Sequence, residues 1–540
     1  MKHKSIIFAL CTVALIATGC SGQVNNDPNA IHVSCVQLGY GTEWLTTLMK
    51  EYTNKTGVKF AYTEVVGQAG NNNLNDNLRS LSGNTDLYGL RPGSFHELIY
   101  RGKITTGGVT YDHAFEPLTD IFNEEYEGES GNNTISKKLD PIFKDYVTVG
   151  EEAYGLPWAN GFQSFVRNLD VWTKCGYTAA QYPRTTDELF EMMDNINNVI
   201  ATTSDSKLKG AAPMIYCSQD EYYTSIIGSW FAQYEGSQEM EKFYAGRNPD
   251  GKRGPDMFTF DGVTEALKVA GRIVEYNKST GKYKYQHVNS KKLSFTQMQN
   301  YFLAGDAAFC VNGTWLEVEN PKARTSNIDY IKIPLVSSIV NNGKLHKTYT
   351  ESQLRELVTF LDAHIEPGDN AGLPSEFDVE DVEFIRNSRN TGSYMRTDYD
   401  HLFVVPSWSN KKEQTKKFLK WMYSDEALQI FYDKMNGHHL PATPSTGSYD
   451  TSHVQLSQFR ISCNKAFEEG KFCQYMSATV KDKIFSVAKV QSNMSNTISK
   501  TGNCIDWLVD GMTPDQIVIE NTNYLTTRWA SILNSLDKED

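Results

Sequence analysis

The sequence predicts an α/β protein that folds as more than one domain. Between residues 31 and 90 the apolar pattern alternates strand, helix, strand, helix and strand, an order that gives right-handed crossovers and a largely parallel sheet. The chain has 540 residues, and a single hydrophobic core stops growing beyond about 250–300 residues. A mixed α/β fold with at least two cores is therefore expected.

In the first unit, apolar residues with the spacing of a strand alternate with apolar residues with the spacing of a helix. Residues 31–35 form a continuous apolar run typical of a buried strand, and residues 58–63 alternate apolar and polar side chains as a half-buried strand does. The segment between them is predicted to be a helix that ends at Gly57. Its helically spaced apolar residues are Trp44, Leu45, Leu48, Met49 and Tyr52. A second helix around residues 74–81 and a third strand at 86–90 complete the unit.

The same alternation continues through the rest of the chain. Strands are predicted at residues 162–167, 307–311 and 402–405, and helices at 189–200, 295–302 and 411–435. Residues 337–396 interrupt this pattern with two charged helices around a loop rich in Gly, Pro and Asp. We interpret this stretch as an insertion on the surface.

The N-terminus has the layout of a secretory signal peptide. Two lysines precede an apolar run that ends at Ala17, which is too short to span a membrane, and small residues lead up to Cys20. Residues 16–20 resemble a bacterial lipobox, whose cysteine is lipidated and becomes the new N-terminus; an ordinary signal peptide with a chance cysteine is the alternative. We therefore expect residues 1–19 to be removed and residues 20–30 to form a lipid-anchored tether on the outer face of the cell membrane.

Composition argues against some partners and sites. The net charge is −13, and loss of Lys2 and Lys4 with the signal peptide makes it −15. An acidic surface without a basic stripe argues against nucleic-acid binding. Of nine cysteines, Cys11 leaves with the signal peptide and Cys20 is the anchor, so seven remain, with no CxxC pair. Most are predicted to be buried thiols, although an exported protein can hold a disulfide.

Motifs for catalysis and metal binding each fail at a defining position. His96-Glu97 would begin a zinc-binding HExxH, but Tyr100 stands where the second histidine must be. A GxxxxGK stretch that starts at Gly246 is followed by Arg253, where a phosphate-binding loop needs Ser or Thr. His438-His439 could bind a metal, but histidine pairs in loops are usually surface residues. No metal, cofactor or catalytic residue is predicted, although abundant acidic residues leave a glycoside hydrolase open.

Three segments follow one another in a characteristic order. The first begins with Tyr154-Gly-Leu-Pro157 and ends with Pro183-Arg-Thr-Thr-Asp-Glu-Leu189. The second runs from Tyr301 to Ala308 and continues to Asn312-Gly-Thr-Trp315, and the third runs from Val404 to Glu426. Together they resemble the extracellular solute-binding proteins of ABC-type sugar importers, over nearly the whole chain that follows the signal peptide.

The resemblance implies a periplasmic-binding-protein-like fold, in which two α/β lobes enclose a ligand cleft and crossing strands form a hinge. Crossings near Ala159 and near residues 402–406 would assign 31–160 and 402–435 to one lobe, and 161–401 and 436–540 to the other. Ligand contacts to both lobes would drive closure. The resemblance further implies a monomer that is not an enzyme and hands a sugar to the permease of the importer.

This chain departs from the family pattern at two positions. Thr186 and Arg167 stand where the family usually has Trp and Tyr, so the particular sugar is not specified.

Resemblance and position select the candidate ligand contacts. Most are aromatic or polar residues near strand ends, where open α/β sheets bind ligands, and Glu221 and Trp230 lie in the helical region of the second lobe. Sugars need aromatic rings for their apolar faces and polar side chains for their hydroxyls. Trp315 leads the set because the tryptophan of the family's Gly-x-Trp motif commonly stacks on sugar. Trp230 has a core alternative, and Glu43 and Arg91 could be solvated or paired with each other. The set is Tyr40, Glu43, Arg91, Trp158, Asn160, Glu221, Trp230, Trp315 and Trp408.

Two other functions stay open at the level of sequence. A lipid-anchored glycoside hydrolase would place two carboxylates at catalytic separation and would release product. An adhesion or sensory lipoprotein would bind a macromolecule through a flat apolar patch in place of a cleft. The family resemblance favours a sugar-binding module over both.

Overall fold

The computed structural model describes residues 27–91, 95–217, 226–397, 401–473 and 504–537, which fold into a mixed α/β structure with two main sheets. The strands are β1 (Ile31–Gln37), β2 (Phe60–Val66), β3 (Leu87–Leu90), β4 (Ile104–Thr106), β5 (Val109–Tyr111), β6 (Thr148–Val149), β7 (Glu152–Ala153), β8 (Leu156–Pro157), β9 (Gly161–Asn168), β10 (Ala212–Ile215), β11 (Tyr276–Asn277), β12 (Lys282–Tyr283), β13 (Ala307–Gly313), β14 (Ile328–Ile331), β15 (Tyr394–Thr397), β16 (Leu402–Val404) and β17 (Phe472–Cys473).

The helices surround these sheets. They are α1 (Glu43–Thr56), α2 (Gly67–Arg79), α3 (Phe95–Tyr100), α4 (Thr119–Asn123), α5 (Ile135–Lys138), α6 (Pro141–Val147), α7 (Leu169–Lys174), α8 (Thr186–Thr202), α9 (Ile227–Glu235), α10 (Ser237–Tyr244), α11 (Asp261–Ile273), α12 (Phe295–Ala304), α13 (Leu316–Glu319), α14 (Glu351–Ala363), α15 (Val379–Thr391), α16 (Lys412–Met422), α17 (Asp425–Lys434), α18 (Gln458–Glu469), α19 (Cys504–Val509) and α20 (Pro514–Asp537). None of the described helices has both the length and the apolar composition needed to cross a bilayer.

The first sheet has the strand order β2-β1-β3-β16-β8. β1 pairs in parallel with β2 and β3, as the predicted β-α-β-α-β order requires, and β16 runs antiparallel between β3 and β8. The apolar face of α1 is buried as predicted, and Gly57 ends this helix in the left-handed conformation with φ 74°. In the sequence, β16 comes after every strand of the second sheet except β17. The first core is therefore built mainly from two segments that are far apart in the chain.

The second sheet has the order β10-β13-β9-β15-β17, with β14 also paired to β9. β9 is the centre: β13 pairs with it along one edge, and β14 and β15 pair with successive parts of the other edge. All eight residues of β9 are buried, because helices cover both faces of the strand. The predicted strands at 162–167 and 307–311 are thus confirmed as β9 and β13.

The predicted helix at 411–435 is two helices, α16 and α17. The break falls at Ser424, whose side chain accepts the Ala427 N–H and caps α17. The sequence pattern did not show the break because the apolar face continues across it. The inward residues were assigned correctly, since each is at most 8% exposed: Phe418, Met422, Leu428, Phe431 and Met435.

Residues 337–396 are not a surface insertion, contrary to our prediction. Helices α14 and α15 contribute apolar side chains to the second core, and β15 is a strand of the second sheet. Buried charges misled the prediction, because Arg386 and Arg389 are each 1% exposed and make this stretch look like a solvated one. We call the first sheet with the helices packed on it the first half of the molecule, and the second sheet with its helices the second half. The segment is an integral part of the second half.

The predicted boundary at residue 435 also needs a change. Leu440 and Ala442 pack in the first core, and Tyr449 lies against it. Ala442 also forms a β-bridge with Leu139 of the first half. The chain therefore stays with the first half for at least 14 residues beyond Met435 before α18 packs on β14 of the second sheet.

The seven cysteines of the described chain are all buried. This agrees with the expectation that most of them are core residues. Burial raises the pKa of the Cys175 thiol to about 11 and that of the Cys504 thiol to about 12, so both thiols stay protonated at neutral pH.

The centre of the first sheet leaves no space at Gly89. A Cβ atom there would lie 2.7 Å from the Cys35 sulfur and 2.8 Å from Phe403. We expect Gly89→Ala to lower the free energy of unfolding by about 1–3 kcal/mol, as overpacking of a core does, in urea unfolding followed by circular dichroism. Gly210→Ala is the matched control, because a Cβ atom at Gly210 meets nothing within 4 Å. Equal stability of the two variants would contradict the overpacking argument.

Candidate ligand-binding site

Two strand ends from different sheets meet at one aromatic contact. β1 of the first sheet leads into the loop with Tyr40, and β13 of the second sheet leads into the loop with Trp315. The ring centroids lie 5.8 Å apart, nearly edge to face at 63°, and Tyr40 and Trp315 are 3% and 5% exposed. Trp315 packs in the first core although its strand belongs to the second sheet. Its indole therefore spans the junction between the two halves.

Two glycines make room for this indole. A Cβ atom on Gly39 would lie 2.8 Å from Trp315 Cδ1 and 3.1 Å from the Glu319 carboxylate. A Cβ atom on Gly313 would overlap the six-membered ring of Trp315. The two loops can approach each other this closely only because neither position has a side chain.

Three further rings complete a group that we call the aromatic cluster. The His438 ring lies 5.1 Å and the His401 ring 6.1 Å from the Tyr40 ring, and Trp158 lies 4.9 Å from His401. Trp158 also donates its backbone N–H to the His401 carbonyl at 3.0 Å. The cluster is therefore Tyr40, Trp158, Trp315, His401 and His438. Four of its members lie in loops that flank strands of the two sheets, and His438 follows α17.

Five buried polar atoms in or beside the cluster have no hydrogen-bond partner among the described residues. They are Trp158 Nε1, Asn160 Oδ1, Asn312 Nδ2, Thr314 Oγ1 and His438 Nε2. The Thr314 N–H bonds the Phe162 carbonyl at 3.1 Å, which places this loop beside the crossing at Asn160. A buried polar group without a partner costs about 1–3 kcal/mol. The junction therefore favours a molecule that can both donate and accept hydrogen bonds.

His438 is held neutral by its surroundings. Its Nδ1 lies 2.9 Å from Arg460 Nη1, and Arg460 also donates to the Thr314 carbonyl at 2.7 Å and to Glu317 Oε2 at 3.3 Å. Burial, the Arg460 guanidinium and His439 together lower the pKa of His438 well below 6.5. Burial also lowers the pKa of His439 to about 4. Since Glu317 balances the charge of Arg460, this side of the junction presents neutral groups.

Comparison with known proteins decides the family. The model for bacterial extracellular solute-binding proteins matches residues 47–455. The chain belongs to this family. No curated protein matches its sequence.

Several solved structures share the fold of this solute-binding protein. The solute-binding protein RafE in complex with raffinose aligns with a TM-score of 0.56 at 13% identity, over 92% of this chain and 99% of that chain. A chitin oligosaccharide binding protein aligns with a TM-score of 0.57 at 14% identity, over 92% and 98% of the two chains. Maltose-bound MalE3 of T. maritima aligns with a TM-score of 0.54 at 14% identity, over 92% and 99%. These similarities show the two-lobed α/β fold that the sequence predicts.

Several predicted contacts of this solute-binding protein come together. Tyr40, Trp158 and Trp315 are members of the aromatic cluster, and Asn160 adjoins it along the chain. Trp408 is partly buried against the first core, and its Nε1 has no hydrogen-bond partner among the described residues. All five stay candidates for ligand contact.

Two predicted contacts have other roles. Trp230 is fully buried in the second core, where its indole N–H donates to the Pro334 carbonyl at 3.2 Å. Glu43 is 87% exposed and pairs with Lys434 at 3.1 Å. The structure supports the core alternative for Trp230, whose only polar atom is already used, and the solvated alternative for Glu43. We assign neither residue to the site.

Three predicted residues are not tested by the structure and remain predictions. Arg91 directly follows β3, and the side chains of Asn71 and Asn75 fix its backbone at 2.8–3.1 Å. Glu221 and the lipidation residue Cys20 lie outside the described residues.

Sequence analysis missed the two histidines and the arginine at the junction. His438 was interpreted as a surface residue, yet it is 1% exposed. The residues that bury it lie on elements far apart in the chain, Tyr40 before α1 and Arg460 on α18. The glycine directly before the histidine pair, Gly437 with φ 82°, was the available signal of a tight turn into a packed site.

A second group of side chains of the kinds that bind metals lies at the start of α15. Ligand atoms of His346, Asp378 and Asp381 are within 4.8 Å of one another. Asp381 already accepts the backbone N–H groups of His346 and Lys347 and the Tyr349 hydroxyl at 2.7–3.0 Å, and Asp378 caps α15. These carboxylates have structural roles, and we assign no metal to them.

Proposed function

We propose that this solute-binding protein captures a mono- or oligosaccharide between its two halves and delivers it to an ABC-type importer. The main support is the occurrence, at one junction, of aromatic rings and buried neutral polar atoms that have no hydrogen-bond partner among the described residues. A sugar hydroxyl both donates and accepts, and the C–H face of a sugar packs on an aromatic ring. The structurally similar proteins named above bind raffinose, maltose and chitin oligosaccharide.

The two sheets would be the centres of two lobes that close on the ligand. We assign residues 31–160 and 402–450 to one lobe, and 161–401 and 451–540 to the other. Arg396 of the second sheet pairs with Asp140 of the first half at 3.1 Å, and the aromatic cluster also draws on both halves. A ligand that contacts both lobes stabilises the closed form relative to the open one.

Binding without chemistry fits the carboxylates near Trp315. A glycoside hydrolase places two carboxyl groups about 5–9.5 Å apart on either side of the scissile bond. Glu317 is held by Arg460 and Ser457, and Glu319 accepts a hydrogen bond from the Gln299 amide at 2.6 Å. Neither is positioned as a free acid or nucleophile. The lipid anchor at Cys20 and a monomeric state complete the proposal, with the protein on the outer face of the membrane.

A thermal-shift screen of the purified protein tests the proposal. Raffinose, maltose, chitin oligosaccharides and monosaccharides would each be added at rising concentration. A ligand at 100 times its Kd adds about 2.7 kcal/mol, which is a rise in Tm of about 2–3 °C for a chain of this size. We expect a saturable shift with the sugar recovered intact by chromatography. Product formation would favour the hydrolase, and no shift across the panel would contradict sugar binding.

A further inference from the structure

His438 occupies an unusual position for a histidine on a loop. It follows Gly437 and Asn436, which both have positive φ values of 82° and 49°, so the chain turns sharply out of α17 just before it. The ring is then enclosed by Tyr40 at 5.1 Å, Phe467 at 6.1 Å and Phe431 at 6.5 Å. A side chain 1% exposed among aromatic rings has a single fixed orientation.

The contact with Arg460 determines which ring nitrogen has the proton. Arg460 Nη1 lies 2.9 Å from His438 Nδ1, and a guanidinium can only donate. Nδ1 must therefore be the acceptor, so the proton of the neutral ring is on Nε2. Nε2 is buried and has no partner among the described residues. The ring thus presents one N–H donor on the side opposite to Arg460.

Arg460 is itself fixed. It donates to Glu317 and to the Thr314 carbonyl, and it is 1% exposed, as Glu317 is at 2%. The Ser457 hydroxyl donates to the second oxygen of Glu317. Ser457 and Arg460 belong to the start of α18, whereas Thr314 and Glu317 follow β13. The loop with Trp315 and the orientation of His438 are therefore set by one ion pair.

We propose that His438 is a specificity-determining contact, which donates its Nε2–H to a hydroxyl oxygen of a sugar bound against Tyr40 and Trp315, and that Arg460 and Glu317 are positioning residues for it. This rests on the proposed function. A fixed donor selects an acceptor at one position of the sugar, and a ligand that lacks this oxygen leaves the buried N–H unpaired. His438 would therefore discriminate among sugars that stack on the same rings but differ at this oxygen.

The same geometry limits the effect of pH on the protonation of His438 and so on sugar binding. Protonation would turn Nδ1 into a donor that faces Arg460, and the other titratable groups around the ring are His439, Tyr40 and Glu317 behind the arginine. The pKa of His438 lies well below 6.5 because of burial and of the Arg460 charge. His438 is thus neutral at pH 6.5, and binding should weaken only when the pH falls well below that value.

The test compares matched variants by calorimetric titration with the sugar that gives the largest thermal shift. His438→Phe keeps a ring but removes the donor, and its Kd should rise at least about ten-fold. His438→Gln keeps an N–H donor and should lose clearly less. His453→Gln is the control, because His453 is 62% exposed and pairs with Asp450 at 3.2 Å, away from the aromatic cluster, and it should bind like the wild type. Circular dichroism confirms that each variant is folded.

A second measurement covers the case in which His438→Phe does not fold. Nitrogen NMR of wild-type protein labelled with ¹⁵N-histidine distinguishes the two neutral tautomers, with His438→Gln used for assignment. We expect a protonated Nε2 whose proton resonance shifts when the sugar is added. A protonated Nδ1, an Nε2–H resonance unmoved by saturating sugar, or wild-type affinity of His438→Phe would each overturn the proposal while sugar binding itself stands. Absence of binding to wild-type protein would overturn both.

Discussion

The Trp315→Ala variant is expected to bind sugar at least about 30-fold more weakly than the wild type, because a buried aromatic anchor commonly contributes 2 kcal/mol or more. The indole lies between the loops of the two halves, against Gly39 on one side and Gly313 on the other. Its removal takes away the proposed stacking face and also opens a gap between the loops. Calorimetric titration measures the change in Kd, and Trp315→Phe should recover part of the loss.

Trp421→Ala separates loss of binding from general loss of stability. Trp421 is partly buried on α16, where it packs against Tyr52 at 5.3 Å and Phe418 at 6.3 Å. Its removal should lower Tm and leave Kd unchanged, because this contact lies between helices on the first sheet. Wild-type affinity of Trp315→Ala would show that the junction at Tyr40 is not where the sugar binds.

The Asp362→Ala variant is expected to lose about 3–5 kcal/mol of unfolding free energy, the usual cost of leaving a buried charge unpaired. Asp362 accepts two hydrogen bonds from Arg389 at 3.0 Å, one from Lys332 at 3.2 Å and one from Tyr182 at 3.0 Å. Without it, Arg389 has no carboxylate partner in the part of the chain that the structure describes, and Lys332 keeps Glu469 at 3.1 Å. Urea unfolding measures the loss.

The pH dependence of this loss has a definite sign. Burial alone would raise the pKa of Asp362, but Arg389 and Lys332 outweigh it and lower the pKa below 3.8. A carboxyl whose pKa is lower in the folded state stabilises the protein above its unfolded pKa and loses this effect as pH falls through the folded value. The difference between wild type and Asp362→Ala should therefore be constant from about pH 5 to 8 and shrink below about pH 4.

Asp187→Ala provides the comparison for a surface pair. Asp187 bonds Arg272 at 3.1 Å, and both side chains are nearly half exposed, so its removal should cost less than about 1 kcal/mol. A loss as large as that of Asp362→Ala would mean that burial of the ion pair is not what determines its energy.

The local pattern was enough to predict most of the fold. Period 2 and period 3.6 located β1, α1, β2 and β9 because in each of them one side or both sides face a core. The pattern failed where polar residues are buried. Arg386 and Arg389 look like a solvated helix in the sequence, yet they are held by Asp362, Glu383 and main-chain carbonyls.

The site could be predicted only in part. Tyr40, Trp158 and Trp315 lie at strand ends, and strand ends can be located from sequence. His401 and His438 depend on tertiary packing, since the rings around them come from residues as far apart as Tyr40 and Phe467. Trp230 and Glu43 were chosen from their sequence positions, which do not show that Trp230 is buried in the second core or that Glu43 is exposed and paired with Lys434.

The central position of β16 imposes an order on folding as the chain is synthesised. Residues 31–157 can pair β1 with β2 and β3, but β8 joins this sheet only through β16. Until residues 402–434 have been synthesised, β3 is an unpaired edge strand, and the first core lacks Phe403, Phe418 and Phe431. A chain truncated before Leu402 would therefore be prone to aggregate. The half that is synthesised first stays open until nearly all of the other half's strands have been made.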